Sequence, residues 1–187
     1  MMRALVTGAG KRLGRAMALH LADRGYDVAV HFASSATAAK SLVQEIVAKG
    51  QQSIALQADL LQEDQVKTLI DRAVYGLGGN LTCLINNASI FENDDLVNFT
   101  DKSFLKHLNI NLKAPAILIR DFAKKFKGKR GNIINIIDQR VEKLTPFFFS
   151  YTLSKSSLAT LTRTSAMKLA PNIRVNAVSP GPTIKNK

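Results

Sequence analysis

The sequence has 187 residues, and its 26 lysines and arginines outnumber 14 aspartates and glutamates, for a formal net charge of +12. Because 46% of the residues are hydrophobic and 21% are charged, the composition is that of a folded globular domain and excludes a disordered chain. The single cysteine, Cys83, excludes an internal disulfide, and no apolar run reaches the roughly 18 residues that cross a bilayer. We therefore expect one cytoplasmic domain without a membrane span.

Short apolar runs alternate with helical patterns along the whole chain, which predicts repeated βαβ units. Strands are expected at 3–7, 27–32, 53–57, 81–86, 131–137 and 173–178, with helices at 12–24, 36–49, 62–75, 101–127 and 150–170. The strands are nearly continuous apolar runs, as in a parallel sheet that is covered on both faces. We predict one α/β domain over residues 1–187, with a doubly wound parallel sheet of Rossmann type and helices on both faces.

A glycine-rich loop follows the first predicted strand and opens the first predicted helix. It consists of Thr7, Gly8, Ala9, Gly10, Lys11, Arg12, Leu13 and Gly14. Glycines let the chain turn sharply and let backbone N–H groups approach a phosphate, while the start of the helix favours negative charge. The loop therefore predicts a dinucleotide site, and the alternative is a tight turn that binds nothing.

The end of the second strand distinguishes between the two nicotinamide cofactors. An acidic residue there would bind the ribose 2′-hydroxyl of NAD, but this sequence has none. His31, Ser34 and Ser35 can donate hydrogen bonds to a 2′-phosphate, and Lys11 and Arg12 can supply charge. This favours NADP over NAD, although the two serines can instead cap the helix that follows.

Tyr151 and Lys155 are four residues apart in a predicted helix and therefore share one face. An ammonium group near a phenol favours the phenolate and lowers the tyrosine pKa. Such a phenol can pass a proton to a substrate during hydride transfer. The spacing alone is common and mostly structural, so its meaning depends on the motifs that precede it.

Taken together and in this order, the motifs resemble the short-chain dehydrogenase/reductase family. The resemblance rests on the glycine loop, Asp59-Leu60, Asn86-Asn87-Ala88, Asn111, Tyr151, Lys155 and Pro180-Gly181. It implies that Tyr151 is the catalytic acid, that Lys155 also holds the nicotinamide ribose, and that Asn111 holds a water in a proton relay. It further implies a set of cofactor contacts by Asp59, Leu60, Asn86, Ala88, Pro180, Gly181 and Thr183.

Pro115 offers a physical reason for the role of Asn111. Proline has no N–H, so the carbonyl of Asn111 loses its partner within the helix and becomes free to accept from water. The alternative is that Pro115 only bends the helix.

Two positions depart from the usual family pattern, because Arg12 and Asp138 stand where most members have glycine and serine. Both departures, with Lys11-Arg12-Leu13-Gly14 and Asn86-Asn87-Ala88-Ser89-Ile90-Phe91, resemble the pteridine reductase branch. The resemblance implies that Phe91 stacks on a pterin and that Ser89 and Arg12 contact cofactor phosphate and substrate. For Phe91 the alternative is packing in the core.

An aspartate at position 138 disfavours reduction of a plain ketone. An ionised carboxylate cannot donate to the substrate oxygen as a serine can, but it suits a substrate with N–H donors and can share a proton with Tyr151.

These observations favour an NADPH-dependent reductase of a dihydropterin or dihydrofolate, in which Tyr151, helped by Lys155 and Asp138, protonates a ring nitrogen. The first alternative is a carbonyl or 3-oxoacyl thioester reductase of the same family. The second, from another class, is a cofactor-binding protein without catalysis. No metal site is predicted.

The expected partner is a small-molecule substrate. The resemblance also implies further copies of the chain, which would associate through helices 101–127 and 150–170 as a dimer or a tetramer. The basic cluster at 124–130 is interpreted as a solvated helix end in preference to a nucleic-acid site. The resemblance further implies a C-terminal helix and a seventh strand, so we expect the sequence to be incomplete after Lys187.

Overall fold

The computed structural model describes residues 1–181, and these form a single sheet flanked by helices. The elements in chain order are β1 (Met2–Val6), α1 (Arg12–Asp23), β2 (Tyr26–Phe32), α2 (Ala36–Ala48), β3 (Ser53–Gln57), α3 (Glu63–Gly76), β4 (Cys83–Asn86), α4 (Asp101–Leu108), a π-helical segment (Asn109–Lys113), α5 (Ala114–Lys125), β5 (Gly131–Ile136), a 3₁₀ turn (Gln139–Val141), α6 (Phe149–Leu169) and β6 (Ile173–Val178).

The six strands are all parallel and lie in the order β3-β2-β1-β4-β5-β6. The direction of winding reverses between β1 and β4, and in doubly wound sheets ligands bind in the crevice at this point. The predicted α/β fold with a parallel sheet of Rossmann type is confirmed.

Two apolar cores cover the two faces of the sheet, because neighbouring strand residues point in opposite directions. Leu5 joins the core that contains Leu69 of α3 and Phe122 of α5. Val6 joins the core that contains Leu42 of α2, to which α1 also contributes. Burial on both faces explains why the strands are nearly continuous apolar runs.

The predicted helix at 101–127 differs most from the structure, which divides it into α4, the π-helical segment and α5. Pro115 lacks an N–H at this position, and the N–H of Ala114 donates to the carbonyl of Asn109, five residues back. The interruption includes Asn111, the residue whose carbonyl was predicted to lose its partner within the helix.

Between Met1 and Gly181, no helix combines the length and the apolar character that a membrane crossing requires.

Candidate active site

A cavity of about 760 Å³ opens at the carboxyl ends of β1, β4 and β5. Residues distant in sequence meet here because the parallel strands all end at this edge. The predicted site residues in its lining are Gly8, Lys11, Arg12, Leu13, Gly14, His31, Asp59, Leu60, Ala88, Ser89, Phe91, Asp138, Tyr151, Lys155, Pro180 and Gly181. Those outside the lining are Gly10, Ser34, Ser35, Asn86 and Asn111. The predicted contact at Thr183 lies outside the described residues.

The glycine loop is held tightly against the end of β4. Gly8 has a φ of +61°, and a Cβ there would lie 2.9 Å from the Cα of Ala88, so only glycine suits the position. A Cβ on Gly14 would collide with the carbonyl oxygen of Gly8. The Thr7 hydroxyl oxygen accepts from the N–H groups of Asn87 and Ala88 at 2.9 and 3.0 Å. The loop and the segment after β4 therefore form one rigid wall of the cavity.

Two exposed cations, Lys11 and Arg12, stand where the loop enters α1. Arg12 has a φ of +50°, in the left-handed region that favours glycine, which accounts for the glycine of most family members at this position. Both cations line the cavity, so the glycine-loop end of it is positively charged.

The two serines after β2 lie beside the glycine loop rather than in the cavity lining. Gly10 is buried, and a Cβ on it would lie 2.5 Å from the Oγ of Ser35. Ser35 precedes α2 at the capping position, but its side chain makes no capping hydrogen bond. The alternative that Ser35 caps α2 is therefore wrong, and Ser34 is exposed.

His31 has a different role from the predicted one. Its Nδ1 accepts from the N–H of Gly8 at 3.0 Å, and its Nε2 donates to the carbonyl of Ala58 at 3.0 Å. Burial lowers the pKa of His31 to about 4, so the ring is neutral. Because both ring nitrogens are occupied, His31 cannot donate to a 2′-phosphate; it fixes the glycine loop instead.

The phenol of Tyr151 and the carboxylate of Asp138 form the central contact of the cavity. The Tyr151 hydroxyl donates to Oδ2 of Asp138 at 2.8 Å. The Lys155 ammonium lies 5.7 Å from the centre of the Tyr151 ring and donates to the carbonyl of Ile136 at 2.7 Å. The spacing in α6 thus places Tyr151 and Lys155 on one face, as predicted.

The expectation that Lys155 lowers the pKa of Tyr151 is wrong for this arrangement. Burial, followed by the hydrogen bond to Asp138, raises the pKa of Tyr151 far above its usual value. Burial lowers the pKa of Lys155 to about 8, against a smaller opposing effect of the Asp138 charge. The proton therefore resides on Tyr151 at neutral pH, held by Asp138.

Phe91 is 51% exposed and lines the cavity, so the alternative of core packing is wrong. Its ring stacks on that of Phe148 with centroids 4.2 Å apart, and its centroid lies 4.7 Å from that of Tyr151, with the two ring planes at 76°. Arg140 lies against the same pair of rings. A flat aromatic surface thus stands beside the Tyr151–Asp138 contact.

Asn111 is fully buried, and its side chain ties the segment after β4 to α6. Its Oδ1 accepts from the N–H of Ile90 at 3.0 Å and from the Ser89 hydroxyl at 3.1 Å. Its Nδ2 donates to the Ile90 carbonyl and to the Oγ of Ser154, at 3.1 and 3.0 Å. The side chain is therefore structural, and the relay role, which concerns the backbone carbonyl, stays a prediction.

Asn86 also has a structural position in place of the predicted cofactor contact. It is buried, and its Nδ2 donates to the Oδ1 of Asn135 on β5 at 2.8 Å. The Nδ2 of Asn135 donates in turn to the Oγ1 of Thr162 on α6, at 2.8 Å. This chain of polar groups links β4, β5 and α6 beneath the site.

Asp94 positions the start of α6, although no role was predicted for it from the sequence. α6 follows Phe148, which has a φ of +60° and offers no side-chain cap. The Oδ1 of the buried Asp94 instead accepts from the N–H of Ser150 at 3.0 Å, and its carbonyl accepts from Phe149 at 3.2 Å. No local motif signals this cap, because Asp94 is 56 residues before Ser150.

His107 is a second residue that sequence reasoning missed. It is fully buried, its Nδ1 donates to the carbonyl of Ser103 at 2.9 Å, and its Nε2 accepts from the N–H of Glu92 at 3.3 Å. Its ring lies 6.4 Å from that of Tyr151. It supports the loop that carries Phe91.

The sequence matches the short chain dehydrogenase family over residues 2–185. The chain belongs to this family of oxidoreductases, which confirms the family predicted from the motifs.

Several relatives show which members the chain resembles. The solved structure of FolM alternative dihydrofolate reductase 1 from Brucella suis, in complex with NADP, is 41% identical, with a TM-score of 0.94 over 98% of this chain and 76% of that one. A short chain dehydrogenase from Burkholderia cenocepacia, also in complex with NADP, is 34% identical, with a TM-score of 0.92 over 96% and 74% of the two chains. The 3-oxoacyl-[acyl-carrier-protein] reductase FabG of Staphylococcus epidermidis is 37% identical over 180 residues, which are 95% of this chain and 73% of FabG.

Proposed function

We propose that the protein is an NADPH-dependent reductase of a pterin, of the dihydropterin or dihydrofolate type. The observation that carries the proposal is the 2.8 Å hydrogen bond from the Tyr151 hydroxyl to Asp138, next to the exposed ring of Phe91. A carboxylate accepts hydrogen bonds and cannot donate them, so it suits a substrate edge with N–H groups. The similarity to the Brucella FolM structure, solved with NADP, supports the same class.

The glycine-loop end of the cavity fits a phosphorylated dinucleotide. Gly8 and Gly14 leave no room for a Cβ, so the loop stays tightly packed at the cavity wall, where the start of α1 favours negative charge. Lys11 and Arg12 supply positive charge, and β2 ends at Phe32 without an acidic residue that would select NAD. When bound, NADPH supplies the hydride that reduces the substrate.

Further cofactor contacts are proposed from the resemblance. These are Leu13, Asp59, Leu60, Ala88, Ser89, Pro180 and Gly181 in the cavity lining, with Ser34 and Ser35 toward the 2′-phosphate. Lys155 would hold the nicotinamide ribose.

The chain's own residues would then orient the substrate and move one proton. Phe91 offers a face on which a flat heteroaromatic ring stacks. Asp138 holds the Tyr151 proton at rest, and a substrate N–H group that takes the place of the phenol at Asp138 frees this proton to pass to a ring nitrogen. Once the proton has left, the ammonium of Lys155 would stabilise the phenolate that remains, although in the resting site burial and Asp138 set the pKa of Tyr151. We propose that the relay at the Asn111 carbonyl returns the proton from solvent.

A second candidate is reduction of a 3-oxoacyl thioester, which the 37% identity to FabG supports. In that reaction the new alkoxide would lie against the carboxylate of Asp138, which repels it. Asp138→Ser restores a donor and is expected to raise thioester turnover while it lowers pterin turnover.

The test is NADPH consumption with dihydrobiopterin, dihydrofolate and an acetoacetyl thioester, each against a control without substrate. We expect pterin-dependent turnover that falls roughly 100-fold or more in Tyr151→Phe. Tyr75→Phe is the matched control, since Tyr75 is 91% exposed on α3, and it should leave turnover unchanged. Turnover of the thioester alone, or NADPH binding without any turnover, would overturn the proposal.

We also propose that copies of the chain associate through α4, α5 and α6. Leu105 on α4 and Leu153 on α6 are 54% and 40% exposed, which leaves apolar surface on these helices. Light scattering of the purified protein tests this, and a monomer at assay concentration would contradict it.

A further inference from the structure

Arg140 is a charged residue of the cavity that the proposed reaction does not use. It lies in the 3₁₀ turn after β5, and its guanidinium carbon is 4.6 Å from the ring centre of Phe148 and 5.1 Å from that of Phe91. Its side chain is 22% exposed and lines the cavity beside the aromatic surface. A cation therefore stands at the cavity wall, next to the ring on which we propose that the substrate stacks.

The guanidinium of Arg140 has hydrogen-bond donors that are not paired within residues 1–181. Its Nε is buried without a hydrogen-bond partner, and within residues 1–181 the side chain donates no hydrogen bond. The nearest carboxylate oxygen, Oδ1 of Asp138, is 3.8 Å from Nη1, which is beyond hydrogen-bond distance.

Both carboxylate oxygens of Asp138 already accept hydrogen bonds. Its Oδ1 accepts from the backbone N–H of Arg140 at 2.8 Å, and its Oδ2 accepts from Tyr151. The guanidinium donors are thus available to a group that arrives with the substrate. A planar guanidinium, held against aromatic rings, matches the paired oxygens of a carboxylate or a phosphate.

We infer that Arg140 determines substrate specificity by binding an anionic group on the substituent of the flat substrate. The inference rests on the proposed pterin reductase function and adds to it the charge of the substrate. The anion has two chemical sources, the carboxylates of a folate tail and the phosphate ester of a dihydropterin side chain.

The experiment compares three substrates in the wild type and in Arg140→Gln. Dihydrofolate carries carboxylates, a dihydropterin phosphate ester carries phosphate, and dihydrobiopterin has an uncharged side chain. The matched control is Lys143→Gln, which removes the same charge from an exposed residue of the same loop. Thermal unfolding of each variant establishes that it is folded.

We expect Arg140→Gln to raise KM about tenfold to a hundredfold for at least one anionic substrate, with kcat retained, and to leave KM for dihydrobiopterin unchanged. The anionic substrate that responds identifies the source of the anion. Arg140→Lys should recover part of the lost affinity because it keeps the charge without the planar pair of donors. Lys143→Gln should behave as the wild type.

Three results would overturn the inference while leaving the reductase function in place. The first is an equal rise in KM for all three substrates, which would make Arg140 a positioning residue for Asp138. The second is an unchanged KM for all of them, and the third is an equal rise in KM in Lys143→Gln. If the wild type reduces none of the three pterins, the proposed function fails first.

Discussion

His31 should make the stability of the protein depend on pH below neutrality. The pKa of this buried ring falls from 6.5 to about 4 in the folded protein, because burial penalises the charged form. Between these values the unfolded chain binds a proton that the folded chain does not, so unfolding becomes easier as the pH drops from 6.5 toward 4. Since each pKa unit corresponds to about 1.36 kcal/mol, the free energy of unfolding falls by about 3 kcal/mol over this range.

Urea unfolding at a series of pH values from neutrality into this range measures the effect. Carboxylates also contribute to acid unfolding, so the test is the difference between the wild type and His31→Asn. The variant should be less stable near neutrality, because it loses the hydrogen bonds to Gly8 and Ala58. The difference in free energy of unfolding between the wild type and the variant should shrink as the pH falls. His20→Asn removes an exposed histidine and should give a curve parallel to that of the wild type. Parallel curves for the wild type and His31→Asn would refute the argument.

Three further predictions concern the elements around the cavity. Asp94→Ala removes the cap of α6 and should lower the free energy of unfolding by about 2 kcal/mol, which lowers Tm by roughly 4–8 °C. The control Asp64→Ala, at the exposed first turn of α3, should change Tm far less, and equal shifts would contradict the capping role. The pH profile of kcat/KM should fall above about pH 8 as Lys155 loses its proton, and a profile that stays flat through this region would contradict the need for its charge. Gly14→Ala should abolish NADPH binding in a titration, because its Cβ would meet the Gly8 carbonyl; binding of wild-type strength would contradict the tight packing of the loop.

Much of the site was predictable from the sequence because its signals are local. Strand and helix periodicity places the glycine loop between β1 and α1, and the four-residue spacing of Tyr151 and Lys155 fixes their common face. The interruption at Asn111 follows from the missing N–H of Pro115. Each of these conclusions needs only neighbours along the chain.

The rest depends on contacts between distant segments, which no local pattern encodes. The sequence predicted a phosphate donor at His31 because the partners of this ring, Gly8 and Ala58, follow two other strands, β1 and β3, which only the sheet brings next to β2. The cap that Asp94 supplies to Ser150 crosses from one loop to another. Such pairings arise only when the sheet brings the strand ends together.

For Tyr151, the sequence and the structure lead to opposite shifts of the pKa. The sequence places a lysine within reach of the phenol, from which a lowered pKa follows. In the fold, however, Lys155 donates to the Ile136 carbonyl, and the phenol donates its hydrogen bond to Asp138. Burial of the phenol adds to the same effect. The resting site therefore stores its proton on Tyr151, and under the proposed function the proton would become available once a substrate N–H takes the place of the phenol at Asp138. A substrate without such a donor would leave the Tyr151–Asp138 bond intact, so in the proposed reaction the carboxylate would select for nitrogen heterocycles and would delay proton transfer until one is bound.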